Sequence, residues 1–160
     1  MDKHTISILV ENRFGALSRI SGLFSGRGYN IESLSVAPTA DPSVSRMTIV
    51  TVGDERVIEQ IVKQLNKQID VIKVWNVSDH AAIERELILV RVNAGDKNQD
   101  EIIRTCQAFG AKVVDVSGSS IALEMMGDES EVENFLSLLK PFGIKELIRS
   151  GTVAMIKEGK

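Results

Sequence analysis

Two glycine-bearing stretches hold the residues best suited to chemistry. The first reads Glu11-Asn12-Arg13-Phe14-Gly15-Ala16-Leu17-Ser18-Arg19-Ile20 and joins a strand-like run to a helical one. A glycine at such a junction lets backbone N–H groups approach a ligand, and a helix start offers unpaired donors with partial positive charge. That combination suits a carboxylate. The Asn12 amide donates and accepts, so it suits a carboxylate or an ammonium group. Nearby strand carbonyls supply further acceptors, while Ala16, Leu17 and Ile31 supply apolar walls. This set fits a small aliphatic amino acid better than a sugar or a nucleotide. The same residues also have a plain structural reading, in which Gly15 makes a turn and Asn12 caps a helix. On spacing alone the structural reading is the stronger.

The second stretch is Gly26-Arg27-Gly28-Tyr29-Asn30-Ile31-Glu32-Ser33-Leu34. Asn30 opens a strand directly after a helix stop. If that strand is an edge that pairs with its own copy, Asn30 lies at a subunit boundary facing the glycine turn of a neighbour and adds a second amide to the same ligand. Gly26-x-Gly28 is no dinucleotide fingerprint, because it follows a helix and precedes a strand. Glu55, Glu59, Asp128 and Glu133 read as solvated helix faces, and Trp75 as core or interface packing. Cys106 shares a stripe with Ile102, Ile103 and Phe109 and reads as a small buried hydrophobe. Nothing assembles a nucleophile, a base and an orienting group, so the chain is expected not to be an enzyme. Its lone cysteine excludes an intrachain disulfide, and with only His4 and His80, far apart in sequence, no His-rich metal site is expected. No cofactor is expected in this chain, although interfacial carboxylates can trap Mg²⁺ or Ca²⁺ adventitiously.

The elements that must position these residues follow from hydrophobic periodicity. Residues 5–10, 30–37, 45–52 and 70–77 are strand-like, and the stripes Leu17/Ile20/Leu23/Phe24 and Val57/Ile58/Ile61/Val62/Leu65 are helical. The order strand, helix, strand, strand, helix, strand then repeats. Its second round uses strands at 86–93, 112–116, 120–125 and 144–148, with helix faces at Ile102/Ile103/Cys106/Phe109 and Val132/Phe135/Leu136/Leu139. Val52-Gly53-Asp54-Glu55 aligns with Met126-Gly127-Asp128-Glu129, where each aspartate is a natural helix cap. The predicted fold is therefore α+β, with two ferredoxin-like βαββαβ domains. The expected boundaries are 1–78, a linker at 79–85, and 86–160. Strands that are apolar on both sides, such as the run around Leu9, call for cover on the outer sheet face by self-association or by the second domain.

With 160 residues, 43% apolar and 26% charged, the chain is long enough for two small cores. Its net charge of −3 and 4% aromatic content disfavour nucleic-acid binding. No run approaches a membrane span or a targeting leader, which predicts a cytoplasmic protein.

The runs 11–19 and 22–34, together with Ser45-Arg46-Met47-Thr48-Ile49, closely resemble the regulatory small subunits of acetohydroxyacid (acetolactate) synthases, and the likeness extends to Arg149-Ser150-Gly151. This resemblance implies an N-terminal ACT domain that binds an effector and dimerises. It also implies a catalytic large subunit carrying thiamine diphosphate, magnesium and FAD, which the small subunit activates and makes sensitive to valine. By the family's motif, Asn12, Gly15, Ala16 and Leu17 come from one chain, and Asn30 and Ile31 from its neighbour. Phe14 departs from the proline that many ACT domains carry before the glycine. Two other classes fit the same turn or fold: a free-standing ACT-type amino-acid sensor, and a small ferredoxin-like enzyme.

Overall fold

Alternating apolar residues and well-placed caps fold the chain, seen in a computed structural model that describes residues 2–159, into β1 (Asp2–Glu11), α1 (Ala16–Gly26), β2 (Ile31–Pro38), β3 (Val44–Gly53), α2 (Glu55–Asn66) and β4 (Val71–Asn76). A 3-10 turn (Val77–Asp79) leads to β5 (Ala82–Asn93), α3 (Gln99–Ala108), β6 (Lys112–Ser117), β7 (Ser120–Gly127) and α4 (Glu129–Leu139). A second 3-10 turn (Lys140–Phe142), β8 (Ile144–Arg149) and β9 (Val153–Ile156) follow. Contacts divide the chain into two units: residues up to Ile83 together with those from Thr152 onward, and Glu84–Gly151.

In the first unit the antiparallel order is β2-β3-β1-β4. One sheet face carries Ile6, Ile8, Met47 and Ile49, which pack against Ile20 and Phe24 of α1 and Ile61 and Leu65 of α2. Each such side chain contributes about 1.5–3 kcal/mol through burial. Asp54 starts α2 by accepting the Val57 N–H at 2.9 Å. The preceding residue must be Gly53, because a Cβ there would sit 2.9 Å from Val57 Cγ1.

On the helix-free face, the register sets Trp75 beside Ser7 and Lys73 beside Leu9. Trp75 holds the Arg46 guanidinium 4.3 Å and the Lys73 ammonium 4.8 Å from its ring centroid. Arg46 Nε donates to Ser7 Oγ at 2.5 Å, and Ser7 is fully buried.

The C-terminal segment departs from expectation. Residues 152 onward cluster with the first unit, not with the second as the boundary 86–160 supposes. The Thr152 N–H donates to Ser33 Oγ at 3.0 Å, and the Lys157 N–H donates to the Ala81 carbonyl at 2.8 Å. β9 thus pairs with the start of β5, which itself begins at Ala82 inside the stretch read as a linker. Backbone pairing across more than 70 residues, which no local pattern records, is the reason for both differences.

The second unit repeats the plan with the order β6-β7-β5-β8 and a core that includes Val90, Ile102, Leu123 and Phe135. Cys106 is buried in it, and burial pushes its thiol pKa up. Asp128 forms a full capping box: it accepts the Glu131 N–H at 2.8 Å while its own N–H donates to Glu131 Oε2 at 2.8 Å. Gly127 is required as Gly53 is, since a Cβ there would lie 2.9 Å from Glu131 Cβ. The two units therefore share the same glycine strand end, aspartate cap and helix start.

Candidate functional site

The turn after β1 is built around Gly15, which adopts φ +83° as the N-cap of α1 and contributes no side-chain cap. The left-handed conformation is open to glycine at little cost and strained for other residues. The Ala16 N–H reaches the Arg13 carbonyl at 3.3 Å, and the Arg19 N–H reaches the Gly15 carbonyl at 3.0 Å. Between them, the N–H groups of Leu17 and Ser18 have no recorded acceptor outside the helix among the described residues. Two donors at the positive end of α1 are left for an anion.

Side chains frame these donors. Ala16 is buried, Leu17 is exposed, and Phe14 stands fully in solvent. Arg19, one turn into α1, donates from Nε to Asp70 Oδ2 at 2.6 Å, and its Nη2 also contacts that oxygen. Asp70 is only 4% exposed, and its carbonyl accepts the Glu11 N–H at 2.8 Å. This ion pair fixes the start of β4 against the turn, and its residues lie 51 apart in sequence. The candidate residues read from the sequence did not include it.

Asn12 does not cap α1, contrary to the structural reading. Its Nδ2 donates to the Pro42 carbonyl at 3.0 Å, and its backbone N–H donates to the Ser43 carbonyl at 2.8 Å. The side chain ties the turn to the β2–β3 link, leaving Oδ1 with no recorded partner among the described residues. In that link, Asp41 accepts from the Ser43 hydroxyl at 2.7 Å and from its N–H at 2.9 Å, which lowers the Asp41 carboxyl pKa.

Within one chain, Asn30 and Ile31 are not brought to the turn. They follow α1 at its far end, about 16 Å along the helix axis from Ala16. Ile31 is opposite Thr51, whose hydroxyl donates to the Asn30 carbonyl at 2.6 Å. The Asn30 side chain is exposed, beside an edge strand with no neighbour on its outer side among the described residues. One copy therefore gathers Asn12, Gly15, Ala16 and Leu17 and leaves the other two residues apart.

Among the described residues no three His, Cys, Asp or Glu side chains cluster to hold a metal, and no helix is long and apolar enough to cross a membrane.

Residues 6–73 match the family model described as the AHAS small subunit-like ACT domain, and residues 85–158 match that of the small subunit of acetolactate synthase. The chain belongs to the acetolactate synthase small-subunit family. It is 48% identical over 157 residues to the acetolactate synthase small subunit of Aquifex aeolicus, covering 98% of this chain and 82% of that one. It is 45% identical over 159 residues to the acetolactate synthase isozyme 3 small subunit of Escherichia coli, covering 99% and 98%. The crystal structure of the acetolactate synthase small subunit from Thermotoga maritima aligns with a TM-score of 0.89 at 35% identity, covering 100% of both chains. Small-subunit family membership thus agrees with the ferredoxin-like, ACT-type fold of the first unit.

Proposed function

We propose that this chain is the regulatory, non-catalytic subunit of an acetolactate synthase, that it raises the activity of the catalytic large subunit, and that it makes that activity sensitive to valine. Valine binds where two ACT domains meet. Its carboxylate takes the free amides at the start of α1, its ammonium meets amide and carbonyl oxygens, and its side chain rests on Ala16, Leu17 and Ile31.

The observation that carries this reading is the uncapped α1 start at Gly15, set at one end of a sheet whose edge is β2. Pro38, the last residue of β2, pairs with Ser45, near the sheet end that holds Glu11 and the turn, whereas Ile31 pairs with Thr51 at the other end. If β2 pairs antiparallel with its copy, strand direction reverses. The partner's Asn30 and Ile31 then arrive at the turn end, and the two halves of the ligand set meet. In this arrangement valine shifts the enzyme only by its difference in affinity for two dimer states, on the usual scale of about 1–3 kcal/mol.

The test is reconstitution. Acetolactate formation by the large subunit is followed with and without this chain, and then with added valine. The proposal expects a rise in rate from the chain and its reversal by valine. A chain that binds valine but neither co-purifies with nor stimulates a large subunit would instead be a free-standing sensor.

A further inference from the structure

The second unit carries an edge that the proposed valine-binding dimer does not use. All six residues of β6 are exposed, and its three valines lie on both faces of the strand: Val113 at 41%, Val114 at 51% and Val116 at 61%. β-Branched residues exposed on both sides of an unpaired strand edge are what a sheet normally covers or blunts. β6 contains neither proline nor a run of charge.

This edge repeats the geometry of β2. Each strand follows a helix that stops just before a left-handed glycine, Gly28 at φ +70° and Gly110 at φ +64°. Each lies at the edge of its sheet, and each shows a register shift at its start, between Ile31 and Ser33 and between Val113 and Asp115. β6 also has a charge order of its own, with Lys112 at its start and Asp115 three residues on. Asp115 reaches Arg91 at 3.1 Å yet stays more than half exposed.

We propose that β6 is a second self-association edge, pairing antiparallel with β6 of another copy of this chain. The charge order selects the occupant and the direction. In an antiparallel pair, Lys112 of each copy runs toward Asp115 of the other, giving two favourable cross-copy pairs by symmetry, whereas a parallel pair sets like against like. The valines then lose water on both sides of the seam. The inference borrows from the proposed function only the idea that the equivalent edge β2 also pairs.

Hydrogen–deuterium exchange on the full-length chain tests it peptide by peptide. The segment 112–117 is expected to gain protection as protein concentration rises. Lys112→Asp and Asp115→Lys should each raise the concentration for half-maximal protection about tenfold, and the double exchange should restore it. Asp115→Lys and the double variant both lack the Arg91 pair, so recovery in the double variant isolates the cross-copy contact from that loss. Exchange of 112–117 at the rate of a free edge at every concentration overturns the proposal. So does a double variant no better than the singles, or protection that appears only when the large subunit is added. The segment 31–38, read in the same spectra, reports on β2 separately, so failure of the valine-site dimer is distinguishable from failure at β6.

Discussion

Replacing Gly15 by aspartate tests the proposed effector site most directly. The backbone at this position has φ +83°, which costs a non-glycine residue about 1–2 kcal/mol, with aspartate among the better tolerated. The new Cβ would lie 3.1 Å from Arg19 Nη1, the far end of a flexible side chain, so the helix start can accept it. The added carboxylate would stand about 4 Å from that of the ligand. At an effective dielectric of about 20, such a pair repels by about 4 kcal/mol. Arg19 beside the new group offsets part of this, leaving a net loss of about 2 kcal/mol, or about 30-fold in affinity. Calorimetry should show that loss for valine, while stimulation of the large subunit persists. Gly15→Ala, which brings the backbone strain without the charge, should weaken valine binding much less. Unchanged valine affinity in Gly15→Asp would refute the placement of the ligand's carboxylate, and equal losses in the two variants would refute the electrostatic account.

Three further perturbations address neighbouring residues. Asn30→Ala should weaken valine binding about 5- to 30-fold through loss of one polar partner, and calorimetry showing no change would remove Asn30 from the site. Arg19→Ala leaves the buried Asp70 carboxylate without its partner; because Arg19 is itself half exposed, urea denaturation should show a loss of about 1–3 kcal/mol rather than the full cost of a dry pair. Cys106 has a raised thiol pKa through burial, so the folded state holds its proton where the unfolded chain releases it. Its contribution to stability is full below the unfolded thiol value of about 8.5 and is lost as pH rises from there toward the folded value, a decline that Cys106→Ala should abolish in denaturation curves measured across that range.

The turn at Gly15 was legible in the sequence because its chemistry is local. A glycine between a strand-like run and the Leu17/Ile20/Leu23/Phe24 stripe has few other uses, and the structure gives it the positive φ that only glycine adopts freely. The strands of both ferredoxin-like units and the caps Asp54 and Asp128 were legible for the same reason. What stayed hidden depends on distant backbone. β9 reads Val-Ala-Met-Ile, four apolar residues with no alternation, and its pairing with the start of β5 appears only once the chain has returned to its first unit. The anchoring of Asn12 on the Pro42 carbonyl spans 30 residues, and the Arg19–Asp70 pair spans 51. The sequence around Asp70 even points elsewhere, because Lys67 and Lys73 flank it at three residues on either side while its actual partner is the distant Arg19. Asn30 and Ile31 pose a different difficulty: their proposed role depends on a neighbouring molecule, so neither the sequence pattern nor a single fold brings them to the turn.

Trp75 is the one indole in the chain, and it lies on the sheet of the first unit with Arg46 and Lys73 against its ring. Its emission therefore watches only half of the molecule. Glu84–Gly151 melts without an optical witness of that kind, whereas circular dichroism records strands and helices from both halves. Comparing the two signals during denaturation shows whether the halves come apart together or in turn, with no label attached.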